Sequence, residues 1–320
     1  MQQISFRAMG STITIIVDST DPTARSALTS ARKIFLHHEQ ILSRFRPQSE
    51  LGALNRAAGQ GPRRVGRTLW QAVCHALRIA RLSQGLVTPT VGAALIEAGY
   101  DRDFALLTTS NEIRLQRTVP IPSRQRVICD PSRRTITLPA GVQLDLGGSA
   151  KGWTAAIVVR RLGKRFPTLV DAGGDIALSG PRRDGTPWPV EVADPRQPDT
   201  GIELLMVRRG GIATSGIDYR RWQYNGRWMH HVIDPRTGTP AQTDVLSATV
   251  IASSLPLAEM AAKMVVILGS DEGLRWLNAR PDLAGLLVTT DGTVIRTATL
   301  ARCCWRSAVE SAASLSYQRL

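Results

Sequence analysis

The segment pattern predicts an α+β protein in which antiparallel sheets are packed with helices on one face. Two observations carry this. Short segments of alternating or continuous apolar residues recur between Gly and Pro turns through the second half of the chain, and few alternate with helices at the spacing a parallel crossover needs. Helical periodicity is confined to a few separated stretches, most with one apolar face.

Taken in order, Ser11 to Val17 alternates apolar residues and predicts a strand. After Asp21 and Pro22, a helix with Leu28, Ala31, Phe35, His38 and Leu42 on one face is expected. Residues 43–56 read as a structured loop or broken helix, and a second helix runs from about Leu69 to Leu82 with Gly85 as its stop. An irregular polar region follows Leu95, then two short strands, Arg126 to Cys129 and Thr135 to Leu138, turning at Pro131 to Arg133. Next come a strand over Val142 to Leu146, a helix from about Ser149 to Leu162, and strands at 168–172, 176–180, 189–195, 202–208 and 211–216. Asn225-Gly226 marks a hairpin within 221–233, Val245 to Ala252 is a strand, and an apolar helix spans about Pro256 to Leu268. A strand pair near Ala284 to Val294 turns at Asp291-Gly292, and the poorly patterned tail from Ala301 to Leu320 is expected to be partly disordered.

With 43% hydrophobic and 21% charged residues, the chain of 320 residues has an ordinary globular composition. The most apolar run, Leu255 to Leu268, is short and carries Glu259 and Lys263, so no membrane span is expected. The N-terminus lacks a secretory pattern, which predicts a cytoplasmic protein. Cys74, Cys129, Cys303 and Cys304 show no metal-ligand spacing, and free thiols fit that compartment. The formal charge of +14 comes from arginines scattered along the chain, without a nucleic-acid-binding module, so no nucleic-acid partner is expected. Lysine occurs only at positions 33, 151, 164 and 263. Each is therefore a candidate for work that needs a compact ammonium.

Chemistry concentrates in a few segments. VQLDLGGSAKGW (142–153) runs into a Gly-Gly turn that opens a helix, whose free N–H groups suit an anion, with Lys151 nearby. DAGGDI (171–176) and RGGIATSG (209–216) read as two further backbone-donor turns. HHVIDPRTGTP (230–240) brings a histidine and a carboxylate to a rigid turn. In SSLPLAEMAAKMVVILG (253–269), Glu259 and Lys263 lie one helical turn apart on a helix that is apolar all round. A charged pair on such a helix is costly unless it meets a polar site.

In order, AMGST (8–12), EQILSRFRPQSELGALN (39–55), GLVTPTVG (85–92), LDLGGSAKGW (144–153), DAGGDI, GIATSG, HHVIDPRTGTP and the helix before ILG resemble the ApbE family of FAD:protein FMN transferases. The resemblance implies an α+β fold with the flavin site in a cleft between two parts, residues 1–300 being one domain of two subdomains. It implies FAD as substrate, transfer of FMN to a Thr or Ser hydroxyl of an acceptor protein, and release of AMP. Met9 and Phe45 resemble residues lining the flavin or adenine. Thr88, Pro89 and Thr90 resemble the cofactor loop, Asp145 an FAD contact, and His231 with Ile233 the strand packed on the cofactor. Lys151 stands beside the phosphate turn. The family's magnesium ion is held by the carbonyl at Gly148 and by Asp and Thr side chains at the positions of Glu259 and Lys263. A protonated lysine has no lone pair for a metal. The Lys263 ammonium is therefore expected to take over part of the metal's charge, with Glu259 orienting it or still holding Mg2+. The hydroxyl proton goes to His230, His231 or Asp234. A non-transferring FAD carrier and an FAD pyrophosphatase are the alternative readings.

Overall fold

The computed structural model describes residues 1–107, 121, 126–224 and 226–304. Its centre is an eight-stranded sheet of β1 (Gln2–Ala8), β2 (Ser11–Val17), β6 (Thr168–Ala172), β7 (Asp175–Leu178), β10 (Gly210–Gly216), β15 (Val245–Ala252), β16 (Ala284–Thr289) and β17 (Val294–Arg296), in that spatial order. Every neighbouring pair is antiparallel, as the sequence predicts.

Three helices, α1 (Thr23–Leu42), α5 (Ala150–Leu162) and α6 (Leu255–Leu268), share one core with this sheet. The five residues expected on the inner face of α1 are all buried. A hairpin of β8 (Trp188–Asp194) and β9 (Gln197–Val207) covers the opposite face through Trp188, Val190, Val192, Leu205 and Val207. Covered on both sides, β16 is buried throughout and β15 almost so, which explains their continuous apolar sequences. Helix α6 meets the sheet with one face, and Met260 and Met264 on another pack against Ile79. Its apolar circumference follows from that double burial.

A second part joins α2 (Glu50–Arg56), α3 (Arg67–Leu82) and a three-stranded sheet in the order β3 (Arg63–Arg64), β5 (Thr135–Thr137), β4 (Ile128–Asp130). Its core holds Leu51, Leu69, Val73, Ile136, Leu144 and Leu146. Beside it, α4 (Gly92–Glu97), the hairpin β11 (Arg221–Tyr224) and β12 (Arg227–His230), and the pair β13 (Ile233–Asp234) and β14 (Thr239–Pro240) gather around Tyr100, Trp222, Met229 and Ile233.

Several expectations are corrected. Residues 142–146 form no ladder, because their backbone pairs with scattered groups instead of a strand. The Asn55 side chain donates to the Leu144 carbonyl and accepts from its N–H, both at 2.9 Å. Asp145 N–H donates to the Pro89 carbonyl at 2.8 Å, and Gly92 N–H to that of Gln143 at 3.1 Å. The edge strand β1 has only a half-buried alternation, too weak to read. Helix α7 (Ser270–Asn278) went unread because it is short and follows Gly269 directly. At the start of the segment expected to be a tail, a 3-10 turn runs over Ala298–Cys303, and Cys304 bridges Leu205. Residues 305–320, most of the polar region before Arg126, and Asn225 lie outside the described residues. Among the described residues, no helix is long and apolar enough to cross a membrane.

Asn55 thus acts as a one-residue substitute for a strand. Asn55→Ala leaves two backbone groups at the buried Leu144 without partners and is expected to cost about 2–4 kcal/mol. Urea unfolding of the two proteins checks this; equal midpoints would contradict it.

Candidate functional site

Two tight turns meet at one end of the main sheet. Met9 (φ 53°) and Gly10 (φ 71°) connect β1 to β2, and Gly173 (φ 67°) and Gly174 (φ 90°) connect β6 to β7. Both are two-residue hairpin loops whose central residues need a left-handed backbone. The loops adjoin, since a Cβ on Gly173 would lie 2.7 Å from that of Ser11. Met9, which has a Cβ, accepts a cost of about 1–2 kcal/mol there. It is held by packing against both major cores.

The RGGIATSG segment contributes differently from the expectation. Gly210 pairs with Leu178, at the far end of β7 from the Gly173-Gly174 turn, and Gly211 to Gly216 are tied into the sheet. Gly211 lets α6 begin against the strand, because a Cβ there would lie 2.2 Å from the Leu255 backbone. It is a packing glycine and not part of a donor loop.

The charged groups assemble beside the two turns. Lys151, in the first turn of α5, donates to the Ala172 carbonyl at 2.5 Å and pairs with Asp175. Two of its three donors are thereby used to fasten the α5 N-terminus to the glycine turn. Asp175 also accepts from Thr214 N–H at 3.3 Å. Glu259 reaches from α6 to the same helix start, where its carboxylate lies directly against Gly152. Ser149 makes no side-chain cap, so the Glu259 carboxylate supplies the negative group that the α5 N-terminus favours. Only glycine permits this at position 152, where a Cβ would lie 2.1 Å from Glu259 Oε2.

Lys263 does not close on Glu259 as an ion pair. It is half-buried, runs toward the Gly147-Gly148 turn, and has its Cε 3.3 Å from where a Gly148 Cβ would stand. Among the described residues, its ammonium has no hydrogen-bond or ion-pair partner.

Burial pushes the Glu259 carboxyl up to about 7; Lys263 and Lys151 oppose the shift and Asp175 adds to it. The folded pKa thus exceeds the ordinary 4.5. The associated stability is complete below pH 4.5 and is lost as pH rises through about 7. Glu259→Gln removes this dependence, so between pH 4.5 and 8 the variant is expected to gain up to about 3 kcal/mol on the parent. Paired denaturant melts across that range check it, and parallel curves would contradict it.

On the other wall, Asp145 pairs with Arg44 Nε at 2.5 Å and accepts from Gly147 N–H at 2.8 Å, which shapes the Gly147-Gly148 turn. Arg44 also donates to the Tyr100 carbonyl at 2.6 Å, and its guanidinium lies 4.1 Å from the Phe45 ring centroid and 4.9 Å from that of Tyr100. Phe45, Tyr100 and Trp222 form a run of rings with centroids 5.4 and 5.3 Å apart. Ile233 is buried in this cluster. Thr88 and Thr90 share a hydroxyl hydrogen bond of 2.9 Å around Pro89, whose carbonyl holds Asp145.

His231 lies near Lys263 and Arg220. Burial first, then the charges of Arg220, Lys263 and His230, lower its pKa to about 3, so the ring is neutral at pH 7. Its Nδ1 is buried without a partner among the described residues. His230 turns its Nε2 to the Ala241 carbonyl at 3.1 Å. Asp234 is separate from this group. Its carboxylate accepts from Arg236 N–H and the guanidinium at 2.8 to 3.1 Å, and Arg236 in turn donates to the Ile267 carbonyl. Ile267 is eight residues beyond Glu259, roughly 12 Å along α6.

A model of the ApbE family matches residues 9–287. The chain belongs to that family. The FAD:protein FMN transferase of Treponema pallidum (strain Nichols) is 31% identical over 303 residues, covering 89% of this chain and 84% of the relative. The protein of that name from Vibrio cholerae (O395) is 28% identical over 256 residues, covering 78% and 75%. Among solved structures, the ApbE protein of Thermotoga maritima has a TM-score of 0.82 at 24% identity, covering 93% of this chain and 97% of its own. That likeness supports an ApbE-type fold.

Within the ApbE frame, the structure groups Lys151, Gly148, Glu259, Lys263 and His231 at one place, and Phe45, Thr88, Pro89, Thr90, Asp145 and Ile233 along the adjoining wall. Sequence reasoning missed Arg44, Tyr100, Gly152, Asp175, Arg220 and Trp222. Asp175 and Arg44 sit inside motifs already singled out, and their opposite charge to Lys151 and Asp145 was the available signal.

Proposed function

We propose that this chain is an FAD:protein FMN transferase. A hydroxyl oxygen of a Thr or Ser in an acceptor protein bonds to the FMN phosphorus, the phosphoanhydride bond to AMP breaks, and AMP departs with the electron pair. The hydroxyl proton passes to His231. The observation that carries this reading is the convergence, near the Gly147-Gly148 turn, of the Lys263 ammonium and the neutral His231 imidazole with a buried nitrogen, neither with a hydrogen-bond partner among the described residues. One suits a diphosphate and the other a departing proton. The names of the relatives agree with it.

Phe45, Met9 and Thr88 supply a surface for the ring systems, with the buried Pro89, Thr90 and Ile233 behind it and Asp145 fixing the loop. His231 is a better proton acceptor with substrate bound, because a diphosphate offsets the Arg220 and Lys263 charges that depress it. Asp234 is engaged by Arg236 and serves the turn. His230 is engaged on one side by the Ala241 carbonyl. Four free cysteines suit a reducing compartment, and we place the protein in the cytoplasm.

The donor set does not fit magnesium. A hard divalent ion wants several oxygens at once. Here Glu259 is packed against Gly152 at the start of α5, the next position along the helix face is an ammonium, and among the described residues no three His, Cys, Asp or Glu side chains form a group that could hold a metal.

The test is to incubate the protein with FAD and a lysate of the cells it comes from, then look for a flavin-fluorescent protein band that survives denaturing electrophoresis and for AMP. Both are expected. AMP with free FMN and no labelled protein would indicate hydrolysis, and FAD bound without AMP would indicate a carrier.

A further inference from the structure

We infer that Lys263 is the resident counter-cation of the diphosphate subsite, so that this chain binds the dinucleotide without a divalent metal. The inference rests on the flavin reading above and concerns how its phosphates are neutralised.

Three features lead to it. First, Lys263 is a half-buried ammonium without a partner among the described residues, whereas Lys151, its neighbour in the cluster, is fastened to Asp175 and Ala172. Lys263 interacts electrostatically with Glu259, but with no hydrogen bond or ion pair among the described residues its ammonium donors are free for an anion. Second, its aliphatic stem lies against Gly148, so the ammonium is delivered to a Gly-Gly turn at the start of α5. A side chain at Gly148 would crowd that approach, the Cβ alone standing 3.3 Å from Lys263 Cε.

Third, the nearby carboxylates have other duties. Glu259 is packed against Gly152 at the start of α5, and Asp175 holds Lys151 and Thr214 N–H. To ligate a divalent cation, Glu259 would have to abandon the helix start and bring the ion beside a fixed positive charge. An ammonium needs neither change. It offers three donors and a full charge to phosphate oxygens at a site already shaped for them. Arg220, close to His231, adds a second cation on the same side.

The experiment measures FAD binding by titration calorimetry on the full chain, once in EDTA and once in millimolar magnesium chloride, for the parent and Lys263→Met. The parent is expected to bind FAD with affinities within about twofold in the two buffers. Lys263→Met is expected to weaken binding in EDTA by about tenfold or more, the low end for a charge-assisted hydrogen bond. A parent that loses FAD in EDTA and regains it with magnesium would overturn the inference, as would a folded Lys263→Met that binds like the parent. The buffer comparison on the parent decides the matter alone if the variant does not fold. FAD binding in neither buffer would instead overturn the flavin reading itself.

Discussion

His231→Ala is expected to slow AMP release in single turnovers at saturating FAD by about 10²–10⁴-fold, the usual contribution of a positioned proton acceptor. FAD affinity should change far less, since the variant removes neither the Lys263 ammonium nor the Gly147-Gly148 turn. The ring suits the role because burial and two neighbouring cations hold it neutral with one nitrogen unengaged. Neutralising those cations with a diphosphate raises its basicity when a proton must be taken. Rapid-quench measurement of AMP separates this from weakened binding. An unchanged rate constant at saturation would remove His231 from the reaction.

Asp145→Ala is expected to destabilise the fold by about 3–5 kcal/mol, as when one member of a buried ion pair is removed. Arg44 and Asp145 are both largely enclosed, with side-chain exposures of 7% and 11%. The variant strands a guanidinium between Phe45 and Tyr100 and frees the Gly147 N–H that shapes the Gly147-Gly148 turn. Combining it with Arg44→Met should recover much of the loss, because the stranded charge is then gone. Denaturant unfolding of the two single variants and the double variant measures the coupling. Additive losses would show that the pair does not act as a unit.

The sheet and its helices were largely legible because their periodicities are local. The face of α1 repeats at helical spacing, and β15 is an unbroken apolar run. What stayed hidden depends on partners distant in sequence. Residues 142–146 look like a strand, yet what binds their backbone is the side chain of Asn55 and two carbonyl or N–H groups of the 89–92 loop. Gly210 to Gly216 look like a phosphate turn, but the need for glycine there comes from the start of α6.

The same holds at the site. Glu259 and Lys263 were legible as an unusual pair on an apolar helix, and their spacing suggested that they pair with each other. Glu259 lies against Gly152 on one side, and Lys263 goes to Gly148 on the other. Helical spacing brings two side chains to one face without saying which third group will separate them.

A crystal structure of the protein soaked with FAD in EDTA tests the central claim most directly. The diphosphate is expected at the Gly147-Gly148 turn, with a phosphate oxygen within hydrogen-bonding distance of Lys263 Nζ and the ring nitrogen of His231 facing the FMN phosphorus. Flavin density elsewhere on the molecule, with Lys263 still unpartnered, would contradict the account.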